Sequence, residues 1–361
     1  MRVVICGGGV VGACTAYFLS RRQVEAVVVE RTGLACAASG KAGGFLAQDW
    51  CDGSPLGPLA RRSFAFHAEL AEQLDGNRWG YRRLDSWSVQ ARAAGLPRRR
   101  SVGGPSWLGE RALVRGRLST GATTAQVHPA RFTEAMMQAA ALHGAKLQQG
   151  RVTRVLLDPG GTSVAGVMVD GAAMPADAVV IAMGPWSTAA CCGLPLPPVH
   201  GLKGNSVVLE TGSTISADAL FVDLVAADGT ESTPEVFPRG DGTTYVCGFS
   251  PRPPLPADPA EVSPDPGAAT VLRAMAEIVA PALAQARLLT VQACYRPVTQ
   301  DGLPLLGPVA GIKGAYVATG HSVWGILNAP ASGEAMADLI VEEAARLVDL
   351  APFDPARRMV A

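Results

Sequence analysis

The opening stretch of the chain constrains its fold more than anything that follows. Residues 2–6, RVVIC, form a short continuous apolar run, the pattern of a parallel strand buried on both faces. It leads directly into GGGVVG at 7–12, then a helical stretch over 13–20, then a second apolar run at 25–29 that ends in Glu30. Strand, G-x-G-x-x-G, helix, strand and acid, in that order, specify a dinucleotide-binding unit. Gly7 permits the tight turn out of the strand, Gly9 lets backbone approach a pyrophosphate, and Gly12 lets the helix pack on the strand. The start of the helix, with Val10 and Val11, offers unpaired N–H groups and a positive dipole end to phosphates. Glu30 suits the hydroxyls of an adenosine ribose and disfavours a 2′-phosphate. The fingerprint alone does not choose between NAD and FAD.

The remainder has to supply the rest of that domain and something to cover it. At 361 residues the chain suits two domains, and with 48% hydrophobic and 17% charged residues it has ample apolar surface to bury. Lys+Arg and Asp+Glu balance at 31 each, which points away from nucleic acid and anionic membranes. Arg98, Arg99 and Arg100 are expected in a solvated loop. The 8 cysteines show no C-x-x-C pair and no zinc spacing, and the vicinal Cys191 and Cys192 suit neither a disulfide nor a metal site. Free thiols in a reducing compartment, the cytoplasm, are expected. The apolar start over 3–19 is interrupted by glycines and lacks a basic leader, so it reads as structure rather than a signal peptide. No other stretch approaches a transmembrane span, and residues 359–361 are not a peroxisomal tripeptide.

Along the chain, a helix is expected at 61–74 within an otherwise irregular, insertion-like segment from 50 to 118. An amphipathic helix at 129–143 is opened by Pro129 and closed by Gly144. Strands are expected at 146–149, 152–157, 163–169 and 178–182, the last resuming the parallel sheet. Beyond 195 the prolines cluster and antiparallel strands are expected at 207–210, 234–238 and 243–248, with Gly240-Asp-Gly242 as a hairpin signal. A helix follows at 272–283. The fold class is therefore α/β. A Rossmann-like domain from 1–50, 120–195 and 291–361 is interleaved with an antiparallel-β substrate domain from 51–119 and 196–290. His67, His128 and His143 read as packed or capping residues.

Two late blocks carry a resemblance. RPVTQDGLPLLG at 296–307 resembles the R-P-x-T-x-D-G-x-P-x-x-G block of the D-amino-acid oxidase and glycine oxidase superfamily. TGHSVWGILNAPASG at 319–333 is similar to the glycine oxidase C-terminal block. LKG at 202–204, VFPR at 236–239 and AMGPWS at 182–187 match further family landmarks. The segments at 39–46 and 49–59 look most like a fungal and plant branch of FAD-dependent oxidoreductases. This resemblance implies FAD as cofactor, held by Gly7, Gly9, Val10, Val11, Gly12, Glu30 and Arg31 at the ADP half. Ala38, Ser39, Lys41, Gly43, Gly44 and Phe45 would line the phosphates and flavin. Val152 would meet adenine, with Gly184 and Trp186 nearby. His321, Ser322, Val323, Trp324, Gly325, Ile326 and Leu327 would reach the flavin, with the dipole of the helix that starts there facing the ring.

The resemblance also implies oxidation of a C–N bond of an amine or amino acid by hydride transfer to flavin N5. Arg296 matches the arginine that binds the substrate carboxylate, and its planar fork suits two parallel charge-assisted bonds. Two positions depart from glycine oxidase. Glu235 stands where that enzyme has a carboxylate-binding tyrosine, and Val323 where it has a second arginine. Glu235 is expected to pair with Arg296 and to repel a simple anion, favouring a bulkier or cationic secondary amine. With Arg296 and Glu235, His321 and Lys41 complete the candidate catalytic set. Non-covalent FAD is favoured, although Cys294, just before Arg296, sits at a spacing similar to the flavin-linking cysteine of monomeric sarcosine oxidase. That enzyme's oxygen-assisting lysine is replaced here by Val246. The alternatives are an FAD dehydrogenase with a non-oxygen acceptor and a non-catalytic flavin-binding regulatory protein.

Overall fold

A computed structural model describes residues 1–95, 103–190, 193–213 and 215–358. The arginines at 98–100, Cys191, Cys192 and the residues at 359–361 lie outside the described residues.

The first sheet has six strands in the order Leu305–Pro308, Ala315–Thr319, Ala178–Ile181, Arg2–Cys6, Glu25–Glu30, Lys146–Gln149. All neighbours run parallel except the first pair. Its register sets Ile5 between Val180 and Val28. Successive side chains of a strand point to opposite faces, and the two faces here enter two cores. Val3 and Ile5 pack with the helices Val10–Arg21, Gly57–Gln73, Pro129–Leu142 and Gly325–Glu342. Val4 and Cys6 pack instead against Val152, Val167 and Val169 of a three-stranded antiparallel sheet. Each fully buried aliphatic side chain of this kind contributes about 1.5–3 kcal/mol before the entropy of ordering is subtracted.

The glycine turn is dictated by close contacts. Gly7 has φ +113°, and a Cβ there would lie 2.5 Å from the Ala182 carbonyl oxygen. A Cβ on Gly12 would lie 2.1 Å from the Gly7 oxygen. A larger residue at Gly12 forces the helix off the strand, and one at Gly7 collides with the end of the neighbouring strand.

The second large sheet runs in the order Arg287–Val298, His200–Glu210, Thr243–Phe249, Glu235–Pro238, Asp218–Val225, Asp85–Arg92, Ala112–Ser119, with Glu231–Ser232 beside Asp218–Val225. It is antiparallel apart from the pairing of Asp218–Val225 with Asp85–Arg92. Alternation again divides two surfaces. Val236 and Val246 pack beneath the helix Ala268–Val279. Phe237, Tyr245 and Cys247 turn to the opposite face, where Phe45 packs against them.

Two sequence expectations change. The stretch from 50 to 118 is not uniformly irregular, because Asp85–Arg92 and Ala112–Ser119 are strands of the large sheet. Their apolar content is low, and 115–118 is exposed at the sheet edge, so no continuous apolar run of strand length marks them. The helix expected at 272–283 is two helices, Ala268–Val279 and Pro281–Gln285. Ala280 is extended at φ −158°, and Pro281 has no N–H with which to continue the first helix. No helix among the described residues is long and apolar enough to cross a membrane.

Candidate active site

Between the two sheets lies a cavity of about 650 Å³. One end is made mostly of backbone. Gly7, Gly9, Val10, Val11, Glu30, Arg31, Ala38 and Ser39 line it. The helix Val10–Arg21 begins there with Gly9 as N-cap and no side-chain cap from that residue. Ser39 takes up one orphan donor: the Val10 N–H donates to Ser39 Oγ at 2.9 Å. The hydroxyl hydrogen of Ser39 remains available to an anion. Glu30 is held by the loop it serves, Oε2 accepting from Gly8 N–H at 2.7 Å and Oε1 from Thr32 N–H at 2.8 Å.

A proline-rich connection from the large sheet crosses this end. Ala257 and Pro259 join the cavity wall. Trp186 Nε1 donates to Pro256 O at 2.8 Å and Tyr295 Oη to Pro254 O at 2.9 Å. Arg31 forms an ion pair with Asp258. Prolines fix φ along this strap, so a few anchors hold it. Val152, Gly184 and Trp186 lie in the wall beside it. The proline cluster was visible in the sequence, but its place over the cavity was not, because its anchors come from distant segments.

The middle of the cavity is bounded by Gly43, Gly44, Phe45 and the turn His321, Ser322, Val323, Trp324, Gly325 and Ile326. Here the helix Gly325–Glu342 begins, also without a side-chain cap from its N-cap residue Trp324. His321 is buried, with Nε2 2.9 Å from Ser332 Oγ. Burial lowers its pKa to about 4, so the ring is uncharged near neutrality. Three sequence-named residues are not in the wall. Gly12 serves the helix–strand contact described above. Leu327 is in the apolar core. Lys41 ends the short helix Ala38–Lys41, and its carbonyl accepts from Gln292 Nε2 at 3.2 Å.

The other end is built of side chains. Arg296, Glu235, Cys294, Tyr245 and Asn205 line it. Burial opposes the guanidinium charge of Arg296, but nearby acidic groups, Cys247, Tyr245 and Glu235, outweigh it and raise its pKa. Glu235 and Arg296 share the wall without forming an ion pair, contrary to the pairing expected from sequence. Instead the Cys247 thiol donates to Glu235 Oε2 at 3.4 Å, from the position directly opposite in the antiparallel ladder. Burial raises the Glu235 pKa, against the attraction of Arg296 and the thiol hydrogen bond. Burial also raises the Cys294 thiol, away from the thiolate a covalent link requires.

An aromatic wall closes this end. Trp50 packs on Phe221 with ring centroids 4.8 Å apart, Phe45 on Phe221 at 5.1 Å, and Phe45 stacks on Phe237 at 5.5 Å. Trp324 meets Trp50 edge-on at 6.5 Å. Trp50, Phe221 and Tyr245 were not picked out from sequence. They lie on separate strands and loops, and only the sheet register brings them together. His128, expected to cap or pack, makes no side-chain cap, and its Nδ1 is buried without a partner. No group of His, Cys, Asp or Glu among the described residues has the arrangement of a metal site.

The arrangement fits an elongated dinucleotide carrying a redox ring. Two helix N-termini without a cap from their own N-cap residue face the cavity, one at its phosphate end, where Ser39 engages a single donor, and one at its middle. A glycine cradle and a backbone-oriented acid complete the ADP side. Comparisons with known proteins agree. Residues 2–339 match the family model DAO, described as FAD dependent oxidoreductase. A glycine oxidase of Geobacillus kaustophilus is 31% identical over 99% of this chain and 97% of its own. A Schizosaccharomyces pombe protein described only as an oxidoreductase is 29% identical over 98% of this chain and 97% of its own. The crystal structure of glycine oxidase from Geobacillus kaustophilus superposes with a TM-score of 0.80 at 27% identity, covering 99% of both chains.

Proposed function

This chain belongs to the DAO family of FAD dependent oxidoreductases, and we propose that it oxidises a C–N bond of an amine or amino acid that carries a carboxylate. One observation carries this reading: Arg296 presents its guanidinium to the cavity with no hydrogen-bond or ion-pair partner of its own among the described residues. A charged, half-buried fork without an acceptor favours an incoming carboxylate. The flavin, when bound, supplies two-electron acceptance from the carbon bearing the amine.

The chain's own residues do the rest. Arg296 fixes the carboxylate in position and orientation. Glu235 faces the same space and, with Oε2 engaged by Cys247, offers Oε1 to the substrate ammonium. It takes the amine proton, because only the neutral amine releases electrons readily. The rings of Trp50, Phe221 and Phe237 exclude water and give an apolar N-substituent a surface. This supports a secondary amine over glycine, the substrate in the relatives' names. FAD would be held non-covalently by the backbone end of the cavity and by the turn at 321–326. The substrate is a small molecule, and the reading keeps a cytoplasmic setting.

A second reading concerns the electron acceptor. Val246, where an oxygen-assisting lysine is expected by resemblance, is buried in the sheet core. Lys203 is buried and paired to Asp265 at 2.9 Å. No lysine lines the cavity among the described residues, which favours a dehydrogenase passing electrons to an acceptor other than oxygen.

The test is an anaerobic panel of primary and secondary amines with and without a carboxylate, read as bleaching of the flavin absorbance. Bleaching by carboxylate-bearing secondary amines is the expected result. No bleaching by any member would leave a flavin protein that does not oxidise amines. Peroxide formation in air, compared with dye reduction, then separates the two acceptors.

A further inference from the structure

The long helix that starts beside the cavity has a defect in its second turn. Pro330 lies inside it. A helical proline brings no N–H, and its ring crowds the carbonyl four residues earlier, here that of Ile326. Ile326 itself lines the cavity, so the defect lies in the turn next to the redox ring.

That carbonyl is not left bare. His67 Nε2 lies 3.0 Å from Ile326 O. A carbonyl can only accept, so Nε2 carries the hydrogen. One turn earlier on the same supporting helix, Gly57–Gln73, Ser63 Oγ accepts the Ala331 N–H at 3.1 Å. Ser63 and His67 are both fully buried. The His67 ring packs on Phe132 with centroids 4.7 Å apart.

We propose that His67, assisted by Ser63, is a positioning residue: it holds the flavin-facing turn of the C-terminal helix by replacing the hydrogen bond that Pro330 removes. The proposal rests on the assignment of the flavin to that turn. A packing role alone does not explain the choice of residue. His67 Nδ1 is buried with no partner, a cost that leucine or phenylalanine would avoid while filling the same space. The histidine tolerates one orphan atom in order to supply one donor. Burial lowers its pKa to about 4, which keeps the ring in a neutral form with a single N–H.

The experiment uses the full chain loaded with FAD. His67→Leu removes the donor, His67→Gln keeps an N–H at a similar reach, and Leu70→Ala removes buried apolar volume further along the supporting helix without removing a hydrogen bond to the C-terminal helix. FAD affinity, the visible flavin spectrum and the midpoint potential are read alongside Tm. The expected result is that His67→Leu weakens FAD binding by about tenfold and alters spectrum and potential. His67→Gln stays near the wild type, and Leu70→Ala lowers only Tm. Adding Pro330→Ala to His67→Leu returns an N–H to the Ile326 carbonyl and should restore affinity and spectrum. The proposal is overturned if His67→Leu behaves as Leu70→Ala does, or if Pro330→Ala gives no rescue. If His67→Leu alone does not fold, the double variant decides: an FAD-loaded double variant supports the proposal, and an insoluble one overturns it. Wild-type protein that binds no FAD would instead remove the cofactor assignment beneath it.

Discussion

The two ends of the cavity are made of different materials. The dinucleotide end uses backbone amides, glycines and one acid, mostly from residues 7–39. The substrate end uses side chains from five strands of the large sheet and from loops far apart in sequence, Arg296, Asn205, Tyr245, Glu235 and Phe221 among them. A backbone site tolerates no side chain where backbone already presses, as at Gly7 and Gly12, but is indifferent to most side chains. A side-chain site can be re-specified by single substitutions while the fold stays intact.

The largest effect should break the dinucleotide end. Gly12→Val drives a branched side chain into the Gly7 carbonyl, which a Cβ alone already approaches to 2.1 Å. Overpacking there costs about 3 kcal/mol or more. Protein recovered from this variant should carry no flavin absorbance, even after incubation with FAD. Retained flavin would mean that the glycine turn is not what positions the cofactor.

At the substrate end, Arg296→Leu should separate the two functions. Losing the partner of a buried carboxylate costs about 2–5 kcal/mol, so kcat/KM for a carboxylate substrate should fall roughly 30- to 5000-fold. FAD affinity should stay within about twofold. A matching loss of FAD affinity would show that the two ends are one coupled site.

The turn at the cavity's middle and the substrate end also respond to pH with opposite signs. His67 and His321 support the cofactor-facing helix, and burial lowers both from 6.5 to about 4. Between those values the unfolded chain binds protons that the folded chain does not. Stability is therefore full above about pH 6.5 and is lost as pH falls toward 4, on the order of 3 kcal/mol for each histidine. Glu235, at the substrate end, has a raised pKa. The folded state holds its proton above the ordinary carboxylate range, so its contribution declines as pH rises from that range. Thermal melts from pH 5 to 8 should show His67→Gln flattening the acid side. The advantage of Glu235→Gln over wild type should grow as pH rises above the ordinary carboxylate range. Parallel pH profiles for the two variants would contradict the assignment.

The smallest effect concerns the strap. Arg31 and Asp258 are each about 30% exposed, and partly exposed pairs contribute roughly 0.2–1 kcal/mol. Asp258→Asn should speed FAD release a fewfold with kcat/KM unchanged, as measured by flavin fluorescence after dilution.

How much of this was legible in the sequence follows the same division. The parallel strands Arg2–Cys6 and Glu25–Glu30 and the glycine turn between them stood out, because buried strands are continuously apolar and the turn admits only glycine. Arg296, Glu235 and the turn at 321–326 were reached through family blocks rather than through physical pattern. Trp50, Phe221 and Tyr245 gave no local signal. An aromatic residue in a strand reads the same whether it faces a core or a cavity, and register alone decides which. The strand at 112–119 escaped because Arg115, Gly116 and Arg117 interrupt its apolar residues, whereas 85–92 does alternate, Trp87, Val89 and Ala91 standing between polar residues, a signal that could have found it. The bond from His67 to Ile326 depends on a contact across 259 residues, which no window of sequence contains.

The central claim is that one cavity holds the flavin and the Arg296-bound carboxylate side by side. Titrating the FAD-loaded protein with benzoate, a carboxylate that cannot be oxidised at an amine, tests it without depending on the true substrate. A saturable shift of the flavin absorption bands is expected in wild type, and it should disappear in Arg296→Leu while the flavin stays bound. A flavin spectrum that benzoate never perturbs, or perturbs equally in both proteins, would contradict it.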